Sequence, residues 1–157
     1  MTDRNPTRIY LAGPLFTQSE WIWNEALAQA LRTHLFDVIL PQSASEPMLS
    51  GARPFDARLL FKLNIESIQS ADVIVAILDG SDVDSGTAWE CGYAFKAGKP
   101  VIGVRTDLRA GGDDPEHSIN LMLSISCRSI VAVPLANRTD VLSVAARIAE
   151  AVQQVTS

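Results

Sequence analysis

Short apolar runs alternate along this chain with longer amphipathic segments, and the alternation predicts its elements. Val73 to Leu78 is unbroken, rich in β-branched residues and too short for a comfortable helix, so it reads as a strand buried on both faces. Arg8 to Gly13, Phe36 to Leu40, Val101 to Val104 and Ser129 to Pro134 read as four further strands. Between them, Trp21, Ile22, Ala26, Leu27, Ala30 and Leu31 recur at helical spacing, with Ser19 as the expected N-cap. Phe55 to Ser70 spaces Leu59, Leu60, Leu63, Ile65 and Ile68 among charged residues as an amphipathic helix. Ala88 to Ala97 reads as a helix closed by Gly98 ahead of Pro100, and Asp140 to Val152 as a final one. Ser43 to Pro54, rich in Ser, Ala, Pro and Gly without either period, reads as a loop over the sheet edge, and Arg105 to Pro115 as a polar surface loop. Five strands alternating with helices predict an α/β fold: a single-domain three-layer sandwich with a five-stranded parallel sheet, flavodoxin-like or Rossmann-like in order.

Composition narrows the partners. The 157 residues suit one domain over 1–157, and 47% hydrophobic with 20% charged residues is a globular balance. A net charge of −5 argues against non-specific nucleic-acid or membrane-surface binding, since phosphate-rich partners favour a basic face. Two cysteines, Cys91 and Cys127, supply neither a disulfide framework nor a zinc site, so each is expected as a buried small residue. The polar start MTDRNPTR and apolar runs far short of the roughly 20 residues of a membrane span predict a soluble, cytoplasmic protein without a signal peptide.

Candidate chemistry concentrates between Ala71 and Pro100. In open parallel sheets, ligands bind beyond the carboxyl ends of the strands, which is where the loop after Leu78 would lie. Two carboxylates flank the small corner Ser85-Gly86-Thr87: Asp84 in the loop, and Glu90 in what reads as the first helical turn, among Ala88, Trp89, Cys91 and Tyr93. An acid there commonly does no more than complement the helix dipole. It is equally the residue type that stabilises or captures a developing sugar cation, and spacing alone leaves both roles open.

The segment Asp84-Ser85-Gly86-Thr87-Ala88-Trp89-Glu90-Cys91-Gly92-Tyr93-Ala94 with Gly98-Lys99-Pro100, together with Ile9-Tyr10-Leu11-Ala12-Gly13-Pro14 and Ile119-Asn120-Leu121-Met122, resembles the three signatures of the nucleoside 2-deoxyribosyltransferase family in the family's order. The resemblance covers most of the chain. It implies an enzyme of nucleotide salvage that moves 2-deoxyribose between bases through a covalent glutamyl sugar, with 2′-deoxynucleosides and free purine or pyrimidine bases as its partners and no metal or organic cofactor. Glu90 is implied as the nucleophile, Tyr10 as the hydroxyl that holds and polarises it, and Asp84 as the acceptor for the sugar 5′-hydroxyl.

Other positions follow with their plainer alternatives. Gly13 falls within the first signature; Phe16 matches a family aromatic lining the base pocket, though loop phenylalanines also simply pack. Gln42 carries an amide able to read a nucleobase edge. Asn64 stands where many members have an aspartate beside the base; an amide can hydrogen-bond there but cannot shuttle a proton. Asn120, otherwise an ordinary N-cap, is implied to contact the sugar in a neighbouring subunit's site, which would make the protein a dimer-based homo-oligomer such as a hexamer with shared sites. Related N-glycosidases hydrolyse deoxynucleoside 5′-monophosphates and have a small hydroxyl or other phosphate-compatible residue where this chain has Asp84, whose charge would repel a phosphate. Hydrolysis of nucleosides and a non-catalytic nucleotide sensor are the remaining alternatives; the joint presence of Tyr10, Asp84 and Glu90 disfavours the sensor.

Overall fold

The computed structural model describes residues 5–133 and 140–156. Five strands, β1 (Arg8–Ala12), β2 (Asp37–Ile39), β3 (Val73–Ile77), β4 (Val101–Arg105) and β5 (Ser129–Ala132), form one sheet in the order β2-β1-β3-β4-β5. Every neighbouring pair is parallel, with Tyr10 of β1 opposite Ile39 of β2 and Ile74 of β3. This is the expected flavodoxin-like order, and it puts a topological switch between β1 and β3, where connections leave the sheet in opposite directions. The last expected strand ends at Ala132, and Pro134 lies outside the described residues.

Strand alternation divides the core in two. In β1, Ile9 and Leu11 point into one cluster with Leu27, Leu31, Ile148 and Val152, supplied by α1 (Gln18–Arg32) and α6 (Val141–Thr156). Tyr10 and Ala12 point to the other face, with Ile68 of α3 (Ala57–Ser70), Cys91 and Ala94 of α4 (Ser85–Lys96) and Leu123 of α5 (Leu121–Ser126). Because both faces are covered, the strands read as continuous apolar runs rather than alternating ones. Among the described residues, no helix is long and apolar enough to cross a membrane.

Four local expectations are corrected. Within Ser43–Pro54, expected as a loop, the chain forms α2 (Pro41–Leu49), begun by Pro41, whose preset φ suits a helix start. Its buried stripe is Pro41, Gln42, Ser45 and Met48, a helical spacing built largely of residues that carry no hydrophobic signal. The cap of α1 is Thr17 rather than Ser19: Thr17 and Glu20 form a capping box, the side chain of each accepting from the other's backbone N–H. The helix expected from Ala88 begins three residues earlier, at Ser85, with Asp84 as its N-cap. Arg105, expected at the start of a surface loop, completes β4 and is buried, its guanidinium donating to the carbonyls of Leu78, Gly80 and Arg109.

Candidate active site

The site lies where the fold opens, beyond the carboxyl ends of β1 and β3. β1 runs out into Gly13, and a Cβ there would come within 3.1 Å of Ile77 Cγ1, so the missing side chain lets the two strands' exits lie this close. β3 runs out into Asp79-Gly80. Gly80 has φ +113, a conformation L side chains rarely adopt, and turns the chain toward α4. That turn is braced: Asp79 accepts from the backbone N–H of Thr106 at 2.6 Å and of Asp107 at 2.9 Å, while the Gly80 N–H donates to Asp107 at 2.9 Å. The loop carrying Asp84 is thereby tied to the end of β4.

Asp84 caps α4, its Oδ2 accepting from the Thr87 N–H at 2.8 Å and from the Thr87 hydroxyl at 3.0 Å. Glu90 therefore sits in the second turn of α4, not the first. Helix-dipole complementation falls off within one turn, so it accounts poorly for a partly buried acid there.

What faces Glu90 is Tyr10, from the middle of β1 and 80 residues away in sequence: the Tyr10 hydroxyl donates to Glu90 Oε1 at 2.6 Å. Burial pushes the Glu90 carboxyl up; the Tyr10 hydrogen bond opposes this, the Asp84 charge adds to it, and the group settles at about 7 against an ordinary 4.5. Burial first, then the charge of Glu90 and the hydrogen bond to it, hold the Tyr10 phenol far above its ordinary 10, so it stays a donor. Cys91 beside Glu90 is raised to about 12, chiefly by burial, which leaves it a protonated thiol rather than a reactive one.

Glu90 and Asp84 line a cavity of about 760 Å³, together with Gly13, Gly86 and Thr87. Most of its other lining side chains are apolar, Leu15, Phe16, Trp21, Ile22, Leu49, Phe55 and Leu60, with Asn64 and Ser45 among the polar ones. The Trp21 ring is held by its indole N–H donating to the Leu15 carbonyl at 2.5 Å. Among the described residues, none hydrogen-bonds the Asn64 amide, which borders the cavity.

Of the residues expected at the site, Glu90, Tyr10, Asp84, Gly13, Phe16 and Asn64 come together here. Two do not. Gln42 is buried under α1, where its amide donates to the Trp21 carbonyl at 3.1 Å and accepts from Asn24 at 3.3 Å, so both polar ends are engaged and neither is offered to the cavity. Asn120 is exposed, caps α5 through the Met122 N–H, and borders a separate concavity with Val83, Phe95 and Met122.

Sequence reasoning missed the apolar wall. Trp21-Ile22-Trp23 held its signal: three consecutive large apolar residues sweep through about 200° of a helix and cannot all face one core. Among the described residues, no group of three or more His, Cys, Asp and Glu side chains is placed to hold a metal ion.

Residues 9–122 match the family model described as nucleoside 2-deoxyribosyltransferase. No curated protein sequence matches significantly. Among solved structures, a conserved protein from Enterococcus faecalis V583 is 26% identical with a TM-score of 0.74, over 95% of this chain and 98% of that one. A 2-deoxyribosyltransferase from Bacillus psychrosaccharolyticus is 29% identical with a TM-score of 0.65, over 79% of this chain and 85% of its own. A CMP N-glycosidase from Clostridium botulinum shares the fold at 18% identity, with a TM-score of 0.59, over 90% of this chain and 98% of its own.

Proposed function

Since this chain belongs to the nucleoside 2-deoxyribosyltransferase family, we propose that it transfers 2-deoxyribose between nucleobases, with Glu90 as the nucleophile. The observation that carries this reading is the Tyr10–Glu90 pair, whose carboxylate lines the cavity. A carboxylate drawn partly out of water and set near neutrality is a more reactive nucleophile than a solvated one, while the phenol keeps an ionised fraction available and fixes its orientation. Oε1 is occupied by Tyr10, so Oε2 attacks C1′ of a 2′-deoxynucleoside. The C1′–N bond breaks with its electron pair on the departing base, which takes a proton from solvent, and a deoxyribosyl ester of Glu90 remains. A second base attacks C1′ through a ring nitrogen, loses its proton and regenerates the carboxylate. Asp84 uses Oδ2 for the helix cap and has Oδ1 for the sugar 5′-hydroxyl. Asn64 orients the base.

The same charge at Asp84 supports free nucleosides over 5′-monophosphates, because a phosphate dianion would meet a carboxylate. A shared site in a homo-oligomer is part of the proposal. Its support is a second apolar surface: Phe95, Met122 and Ile125 of α4 and α5 stand largely exposed and border one concavity with Asn120, and Phe61 of α3 and Trp89 of α4 are exposed as well. Trp89 stacks on Tyr93 at 5.5 Å and packs against Phe61 at 5.7 Å, giving a second copy of this chain a preformed aromatic surface.

The deciding experiment is chromatography of purified protein with deoxyinosine, with and without adenine. Deoxyadenosine formed only with adenine, and lost in Glu90→Ala, is the expected result. Hypoxanthine and deoxyribose released at one rate regardless of adenine would make the protein a hydrolase; inertness toward nucleosides and nucleotides alike would leave only the sensor.

A further inference from the structure

Arg105 closes a strand made otherwise of Val, Ile and Gly, and it is 5% exposed. Among the described residues it forms no ion pair. Its charge is answered by backbone carbonyls instead, those of Leu78 at 2.5 Å, Gly80 at 3.2 Å and Arg109 at 2.6 Å. A guanidinium drawn out of water without a carboxylate beside it is costly, and the position of its three acceptors gives the reason it is there.

Those carbonyls belong to two stretches of chain that flank the loop leading to Asp84. Leu78 and Gly80 bracket the exit of β3, where the Leu78 N–H donates to the Val104 carbonyl at 2.8 Å and the Gly80 N–H to Asp107 at 2.9 Å. Arg109 lies two residues before Gly111, at which a Cβ would come within 2.5 Å of the Ser81 carbonyl oxygen, so this second stretch runs directly against the loop. Among the described residues, Ser81, Asp82 and Val83 make no hydrogen bond of their own. Their course is therefore set by what lies around them: the turn at one end, the stretch through Gly111 alongside, and α4 beyond. One guanidinium ties the first two together. A planar fork suits that task, because its N–H groups diverge at fixed angles; a lysine ammonium is a point charge on a flexible stem.

We infer that Arg105 is a positioning residue for Asp84, holding the loop so that Asp84 Oδ1 stands where the sugar 5′-hydroxyl reaches it. Arg105 itself touches no substrate, and its effect on turnover passes through the carboxylate it places. The inference rests on the transferase reading for the role of Asp84.

The test compares kcat/KM for deoxyinosine and for 2′,5′-dideoxyinosine, which lacks the 5′-hydroxyl, in wild type, Arg105→Lys and Arg105→Met, with adenine as the acceptor. Hydrogen exchange of the Thr87 amide, which donates to Asp84 Oδ2 at 2.8 Å, is followed by NMR in the same proteins against the amides of α6. Wild type should prefer the compound with the hydroxyl by about tenfold or more, as for a hydrogen bond to a charged group. That preference should fall toward one in Arg105→Met and part of the way in Arg105→Lys, while 2′,5′-dideoxyinosine is turned over nearly as in wild type. The lysine variant decides alone if the methionine variant does not fold. A preference unchanged in the variants, with both compounds losing equally, marks a support of the sheet rather than of Asp84; it overturns the inference and leaves the transferase reading intact. A wild-type preference near one also overturns it, since Asp84 would then hold no hydroxyl. Wild type that turns over no nucleoside sinks the transferase reading instead, and exchange then decides. Faster exchange at Thr87 in the variants, with α6 unchanged, sustains the hold of Arg105 on Asp84; exchange at Thr87 that is unchanged, or rises only in step with α6, overturns it.

Discussion

Replacing Glu90 by Gln should make the protein more stable at alkaline pH while removing its activity. Glutamine matches the carboxylate in shape and keeps an oxygen to accept from Tyr10, but it does not ionise. In the folded protein the Glu90 carboxyl stands at about 7 against an ordinary 4.5, mainly because ionising it means charging a poorly hydrated position. At about 1.36 kcal/mol per pKa unit, this difference corresponds to roughly 3 kcal/mol. The folded-state value is the raised one, so the folded chain binds the proton more tightly than the unfolded chain. The associated stability is fully present below pH 4.5 and is lost as pH rises through about 7. Wild type and Glu90→Gln should therefore unfold alike near pH 4.5, and at pH 8 the variant should be more stable by about 2–3 kcal/mol, the open cavity trimming the full figure. For a chain of this size that is a rise in Tm of roughly 4–12 °C. Asp114 and Asp140, held below the usual carboxylate range by hydrogen bonds, lose stability only at lower pH and equally in both proteins, so they cancel in the difference. Urea unfolding of both proteins at pH 5 and pH 8 measures it. A difference that does not grow with pH would refute the reasoning, because it would mean that Glu90 titrates as a solvated carboxylate.

Three further outcomes follow from the same geometry. Tyr10→Phe removes the hydrogen bond that lowers the Glu90 carboxyl, so the rising limb of kcat/KM against pH should move above about 7 while kcat falls; an unmoved midpoint would detach Tyr10 from the nucleophile. Asp84→Asn should keep the cap and Asp84→Ala lose it, at about 1 kcal/mol of stability, whereas both should lose at least about tenfold in kcat/KM with the charged hydrogen bond to substrate; wild-type KM in the Asn variant would reduce Asp84 to a cap. Mixing Glu90→Ala with Asn120→Ala under subunit exchange should restore part of the activity, and no restoration would argue against a site shared between subunits.

Much of the fold was legible because burial on both faces leaves a direct trace. Val73 to Leu78 could be nothing but a covered strand or a helix too short to form, and the same holds for Val101 to Val104. The helices with a leucine and isoleucine stripe were equally plain. α2 was not, because its buried side is Pro41, Gln42, Ser45 and Met48, and a hydrophobic period cannot register a stripe made of an amide, a hydroxyl and an imino acid. The Thr17 cap is written in the sequence as Thr-x-x-Glu, but Ser19, two residues nearer the apolar stripe, offers an equally good capping side chain there.

For the site, the amino-acid order alone supplied the residue types and their local setting: an acid amid apolar neighbours after a buried strand, a small corner before it, and the motifs that marked the family. Only tertiary structure decided what surrounds that acid. Tyr10 meets Glu90 because β1 and β3 pair in parallel at a switch point and α4 packs back across them, a contact between positions 80 residues apart that no local pattern encodes. The protonation of Glu90 was likewise hidden, since it depends on the water excluded by elements distant in the chain. Gln42 shows the converse: its chemistry suited a base edge, but the packing of α1 on α2 engaged both ends of the amide first. Residue identity states which groups can react; burial and register, which are collective properties of the folded chain, determine which of them do.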